Sequence, residues 1–291
     1  MTICTVGIIG AGQMGSGIAH VMLQAGYKVV LLDIAETKLN TSVATVRSLI
    51  NRHAAKTNLS QSEQQQIFAK LSTTMSIVEI GSCDLVIEAA SENEAVKSKI
   101  FDDLAPHTEA HTIVTSNTSS LSITRLAGHT AHPERFMGLH FMKPVSAMRL
   151  VELIHGIATS SETFKTVSEL VKRIGKTPVV AADYPAFIVN RILIPMINEA
   201  IYTLHEGVGS IAGIDQAMRL GANHPMGPLE LADYIGLDAC LAIMTTLHKG
   251  LADSKYRPCP LLVKYVEAGW LGRKVRKGFY DYSVPIARPT R

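Results

Sequence analysis

The residues with chemical potential stand where short apolar runs end. Val6, Gly7, Ile8 and Ile9 lead directly into Gly10-Ala11-Gly12-Gln13-Met14-Gly15. In such a turn the first glycine bends the chain sharply and the second lets the backbone approach a pyrophosphate. The third lets the following helix pack close to the strand. That helix start offers N–H groups and the positive end of its dipole to phosphate. Asp33 ends the next apolar run. A carboxylate there accepts hydrogen bonds from the adenosine ribose hydroxyls and repels a 2′-phosphate. Ile34, Ala35 and Glu36 follow, so no adjacent base invites that phosphate. The expected cofactor is NAD, held by Gly10, Gly12, Gln13, Met14, Gly15 and Asp33; no metal is expected.

A nicotinamide takes up hydride, and an alcohol that gives hydride needs a base for its proton. Imidazole suits that task because its unperturbed pKa lies near neutrality. His140 ends the run through Met137, Gly138 and Leu139, and Ser116-Asn117-Thr118-Ser119-Ser120 follows the run through Ile113 and Val114. Both lie beyond strand ends, where doubly wound sheets bind ligands. Glu152, on the next run, could hold the His140 ring and stabilise its imidazolium, and Ser119 could bond a substrate oxygen. A buried structural histidine fits the same position, and spacing alone does not bring these groups together.

Short apolar runs alternating with longer mixed segments must position these residues, the pattern of βαβ units and a parallel sheet. Strands are expected at 5–9, 28–32, 85–87, 112–115, 136–140, 150–154 and 177–180. A polar helical segment from about 37 to 71 is expected to project as an exposed hairpin, because 51–66 holds few apolar residues. After Val180 the alternation stops. Asp183-Tyr184-Pro185 reads as a break that opens a helix, and Ile188, Ile192, Met196, Ile197, Ile201 and Leu204 then recur at helical spacing around a kinking Pro195. Further helices are expected at 214–220, 228–235 and 237–247, with no later strand. The fold expected is α/β: a Rossmann-like, doubly wound, mostly parallel sheet over 1–183 and an all-helical domain over 184–291.

The chain has 291 residues, 47% hydrophobic and 18% charged, with a net charge of +3. That balance excludes a disordered chain and gives no argument for nucleic acid. Cys4, Cys83, Cys240 and Cys259 lack CxxC spacing and read as reduced thiols of a cytoplasmic protein. Glycines interrupt the apolar stretch from residue 6 to 23, so neither an export signal nor a membrane span is expected. The mean hydropathy of +0.18 suggests apolar surface buried between subunits. The cluster Arg273, Lys274, Arg276 and Lys277 is either a solvated turn or a contact for a phosphorylated ligand.

With these residues laid out, the chain resembles the 3-hydroxyacyl-CoA dehydrogenases over nearly its whole length, and the short bacterial 3-hydroxybutyryl-CoA dehydrogenases in particular. The resemblance rests on the glycine turn, Asp84-Leu85-Val86-Ile87-Glu88-Ala89, Ser116-Asn117-Thr118-Ser119-Ser120-Leu121 and Gly138-Leu139-His140-Phe141. It extends to Asn190-Arg191-Ile192-Leu193, Gly221-Ala222-Asn223-His224-Pro225-Met226-Gly227-Pro228 and Gly278-Phe279-Tyr280-Asp281-Tyr282. It implies reversible oxidation of a short-chain (3S)-3-hydroxyacyl-CoA to the 3-oxoacyl-CoA with NAD. By resemblance His140 is the base, Glu152 orients it, and Ser119 and Asn190 bond the substrate oxygen. Glu92, Lys97 and Lys274 line the NAD site, Ser119 also borders it, Lys56 contacts CoA, and the helical domain forms a homodimer.

The chain departs from the family pattern at Lys143, where an asparagine normally lies beside the cofactor. Lys143 could bond a ribose or pyrophosphate oxygen instead. Asn93 replaces a common arginine, and Ala186 and Arg276 replace glycines. Two other readings remain open at this point: a dehydrogenase of a CoA-free hydroxy acid, and an NAD-binding sensor without turnover.

Overall fold

The computed structural model describes residues 2–290. One compact unit ends at Tyr184 and the second begins at Pro185. The first runs β1 (Thr5–Ile9), α1 (Gln13–Gln24), β2 (Lys28–Leu32), α2 (Glu36–Thr57), α3 (Gln61–Phe68) and β3 (Leu71–Thr74). It continues through α4 (Ile77–Gly81), β4 (Leu85–Glu88), α5 (Glu94–Leu104), β5 (Ile113–Ser116) and α6 (Ile123–Ala127). β6 (Phe136–Phe141), β7 (Leu150–His155), α7 (Ser161–Arg173) and β8 (Thr177–Ala182) complete it.

The strands form one eight-stranded sheet in the order β3-β2-β1-β4-β5-β6-β7-β8. All neighbours are parallel except β6 and β7. The order reverses between β1 and β4, and such a switch point opens a crevice beyond the strand ends. Central strands buried on both faces read as continuous apolar runs: Val6, Ile8, Leu85, Val86 and Ile87 are fully enclosed.

The polar segment after Asp33 is more articulated than a single projecting hairpin. α2 packs Leu39, Val46 and Ile50 into the sheet's core, then ends at Asn58, whose φ of 57° suits a left-handed cap. Ser60 and Glu63 restart the chain as α3 through a reciprocal capping box. α3 buries none of its residues, so the exposure expected holds for this half only. The sequence reading missed β3, an edge strand whose Leu-Ser-Thr-Thr shows no apolar alternation. It is held by parallel pairing with β2.

The second unit comprises α8 (Val189–His205), α9 (Ile211–Gly221), α10 (Pro228–Ile235), α11 (Leu237–Leu251) and α12 (Pro260–Glu267). A two-stranded ribbon, β9 (Tyr280–Asp281) with β10 (Arg288–Pro289), closes it. The unit is therefore helical with a short terminal ribbon, not wholly helical. Its first helix starts at Val189 and not at Pro185, because Ala186 and Phe187 both adopt left-handed backbone (φ 62° and 52°). Ala186 and Arg276 (φ 61°) are the two positions where the resemblance leads one to expect glycine. Glycine enters that region without a Cβ penalty, whereas these side chains occupy it at a cost of about 1 kcal/mol or more.

Candidate active site

The glycine turn is built by three different constraints. Gly10 has φ 105°, and a Cβ there would lie 2.7 Å from the Ala89 carbonyl oxygen at the end of β4. At Gly15 a Cβ would fall on the Gly10 carbonyl, so helix and turn touch backbone to backbone. Gly12 faces open space, and a Cβ added there would meet nothing within 4 Å. It is the N-cap of α1 and supplies no capping side chain. The N–H groups of Gln13, Met14 and Gly15 accordingly have no partner within the helix, which suits an anion. Asp33, 7% exposed, accepts the Ala11 N–H at 2.9 Å and the Ala35 N–H at 3.1 Å, tying β2 to the turn. These features fit a dinucleotide. A cleft of about 480 Å³ beside the turn is lined by Gly12, Gln13, Thr37, Thr41 and Lys38. Lys38 is a base that inspection of residues 34–36 alone overlooked.

The antiparallel pairing of β6 with β7 sets His140 directly opposite Glu152. His140 Nδ1 lies 2.7 Å from Glu152 Oε2, with the His140 side chain 8% exposed and that of Glu152 fully enclosed. Against an ionised carboxylate, which has no proton to give, Nδ1 is the donor and the ring's lone pair falls on Nε2. A buried charge-assisted bond of this kind fixes tautomer and ring orientation together. Asn117 ties the adjoining strand end to this pair, its Oδ1 accepting the Phe141 N–H at 2.8 Å.

Ser119 belongs to a second network, centred on Glu92. One Glu92 oxygen accepts from Thr118 Oγ1 (2.7 Å), the Ser119 N–H (2.8 Å), Ser119 Oγ (3.1 Å) and Ser120 Oγ (3.1 Å). Burial alone would raise the Glu92 pKa, but the Lys97 ammonium and these donors outweigh it and hold the carboxyl below its usual range. Lys97 is 1% exposed, and its Nζ lies 2.6 Å from Glu88 Oε1 and 3.6 Å from Glu92 Oε2. Lys97, expected in the cofactor site by resemblance, thus holds its charge between two carboxylates, one of them the Glu92 expected at the same site. Glu88, absent from the expected site residues, is fully enclosed and also accepts Ser116 Oγ at 2.6 Å. Its position, a carboxylate ending an apolar strand beside the switch point, was the sequence signal that could have found it.

The remaining expected residues are more dispersed. Lys143 is exposed, just after β6, and joined to Pro144 by a cis peptide bond. Asn93, where an arginine was expected, caps α5 by accepting the Val96 N–H, a service arginine cannot perform. Lys56 is exposed at the end of α2 and borders a cavity of about 770 Å³. Arg52, Arg149, Arg173 and Lys176 also line it, and no acidic residue does. In the second unit Asn190 occupies the first turn of α8. Lys274 Nζ pairs with Asp238 at 2.5 Å, so the basic cluster is partly neutralised within its own unit.

Residues 5–184 match the 3-hydroxyacyl-CoA dehydrogenase NAD binding domain, and residues 187–282 match the C-terminal domain of the same family. The chain is 57% identical to a 3-hydroxybutyryl-CoA dehydrogenase of Bradyrhizobium diazoefficiens, over 98% of both chains. It is 41% identical to the human mitochondrial hydroxyacyl-coenzyme A dehydrogenase, over 95% of this chain and 90% of that one. The crystal structure of the (S)-3-hydroxybutyryl-CoA dehydrogenase PaaH1 from Ralstonia eutropha superposes with a TM-score of 0.93 at 46% identity, over 97% of this chain and all of the other. Turn, sheet order and full-length similarity agree: the chain belongs to the 3-hydroxyacyl-CoA dehydrogenase family.

Proposed function

We propose that this protein interconverts a short-chain (3S)-3-hydroxyacyl-CoA, 3-hydroxybutyryl-CoA above all, and the 3-oxoacyl-CoA with NAD and NADH. The observation that carries this reading is the buried His140–Glu152 pair at the carboxyl end of β6. NAD supplies the hydride acceptor. His140 takes the hydroxyl proton at Nε2 as the carbonyl forms, and Glu152 stabilises the resulting imidazolium. In the reverse direction the imidazolium returns that proton to the 3-oxo oxygen. Ser119 and Asn190 bond the substrate oxygen. Gly10, Gly12, Gln13, Met14, Gly15 and Asp33 hold the cofactor, with Glu92, Lys97, Lys143 and Lys274 bordering it.

The cavity beside Lys56 favours a CoA thioester over a free hydroxy acid. A wall of lysine and arginine suits phosphate groups, and a small hydroxy acid carries none. Arg149 stands on the hairpin that carries His140 and Glu152, about 10 Å along the strand from Glu152 at the usual rise per residue. The exposed Ile192, Val208 and Leu220 of the second unit favour a homodimer formed through that unit. The four free cysteines suit the cytoplasm, and among the described residues no helix is long and apolar enough to cross a membrane.

The test compares NADH consumption with acetoacetyl-CoA and with free acetoacetate. Turnover confined to the thioester is expected, and equal rates would remove the CoA assignment.

A further inference from the structure

Glu88 lies at the switch point of the sheet, yet it cannot touch a ligand: it is fully enclosed, and both carboxylate oxygens are engaged. Oε1 accepts Lys97 Nζ at 2.6 Å and the Ala90 N–H at 2.7 Å, while Oε2 accepts Ser116 Oγ at 2.6 Å. Lys97, equally buried, sits a full ångström closer to Glu88 than to Glu92. Glu92, with a side chain 39% exposed, is the member of the trio that reaches the site surface. Its other oxygen gathers the hydroxyl and N–H groups of residues 118–120.

We propose that Glu88 is a positioning residue that draws the Lys97 ammonium into the sheet, so that Glu92 stays committed to Ser119 and presents that serine to the ligand as a hydrogen-bond acceptor. The trio carries two negative charges and one positive. Because Glu88 takes the shorter contact, Lys97 steadies Glu92 without pulling it off the serine segment. Ser119 Oγ donates its proton to Glu92, so toward a bound ligand the serine oxygen offers lone pairs. A ribose hydroxyl can donate to it. Without the Glu88 charge, Lys97 has one anionic partner left and moves onto Glu92. Glu92 and Ser119 then lose the arrangement that faces the cofactor. This inference rests on the reading of Glu92 and Ser119 as part of the cofactor wall.

The test is NADH binding followed by fluorescence, which needs no acyl-CoA and so stands apart from the substrate assignment. Glu88→Gln keeps the shape and removes the charge. It should weaken NADH affinity about tenfold, the scale of one lost charge-assisted hydrogen bond. In a Lys97→Met background Glu88→Gln should weaken NADH affinity no further, because the Glu88 charge then has no ammonium to draw in. A merely structural Glu88 would weaken binding in the Lys97→Met background as well, and that result overturns the proposal. So does a Glu88→Gln variant with unaltered affinity. If Glu88→Gln does not fold, Lys97→Met alone and the double variant are compared. The proposal requires equal NADH affinity for the two, and a clear difference refutes it.

Discussion

Replacing Glu152 by glutamine tests the His140 pair most directly. The side chain keeps its shape and stays within reach of Nδ1, 2.7 Å away in the present structure. What disappears is the negative charge that makes the bond charge-assisted and stabilises the imidazolium formed as the substrate proton leaves. Hydrogen bonds to charged groups contribute about 1.5–3 kcal/mol, and each 1.36 kcal/mol is a factor of ten in rate. A fall of roughly 10- to 150-fold in kcat is therefore expected. NADH affinity should stay within about twofold, because Glu152 lies on β7 and away from the glycine turn. The assay is steady-state NADH consumption with acetoacetyl-CoA, paired with fluorescence titration of NADH. His140→Gln should cost more, since it removes the base itself. The reasoning fails if Glu152→Gln retains more than half the kcat, or if it loses NADH binding and turnover in parallel.

Two further perturbations probe the turn and the second unit. Gly12→Ala meets open space in the free protein and should fold with an unchanged Tm while binding NADH at least tenfold more weakly, because its methyl group occupies the approach to the phosphates. Gly15→Ala drives its Cβ into the Gly10 carbonyl and should lower the Tm by several degrees as well; equal behaviour of the two variants would contradict the geometry. In the second unit, burial lifts the Asp233 carboxyl from 3.8 to about 6, with Asp215 adding to the rise and the Tyr280 and Phe279 N–H groups and the Tyr282 hydroxyl opposing it. A raised folded-state pKa means the native state holds the proton more tightly, so this group's contribution is fully present below pH 3.8 and is lost as pH rises through 6. Denaturant titrations from about pH 4 to 7 should show the unaltered protein losing stability relative to Asp233→Asn, by at most about 1 kcal/mol per pH unit. A flat difference would show that the shift is not expressed.

Some of this protein is written in local sequence. The strand–turn–helix around Gly10, Gly12 and Gly15 follows from backbone requirements that only glycine meets, and Asp33 follows as the terminus of an adjacent apolar strand. α10 falls at Pro228–Ile235, as expected, because proline opens it and Gly236, at φ 107°, closes it. α8 was legible in its apolar spacing but not in its start, since the left-handed backbone of Ala186 and Phe187 has no glycine to announce it. β3 was invisible because an exposed edge strand has no buried face to impose a pattern.

Only tertiary structure could decide who meets whom. His140 and Glu152 were each conspicuous, but their contact depends on β6 and β7 pairing antiparallel, in a register that sets them opposite one another. Lys97 matched a cofactor position in sequence, and its burial between Glu88 and Glu92 was decided by a helix following β4 that turns the side chain inward against the strand it left. Sequence spacing fixes which side chains a segment carries. The pairing of distant strands fixes which charges share a dielectric, and with it which groups hold one another in place.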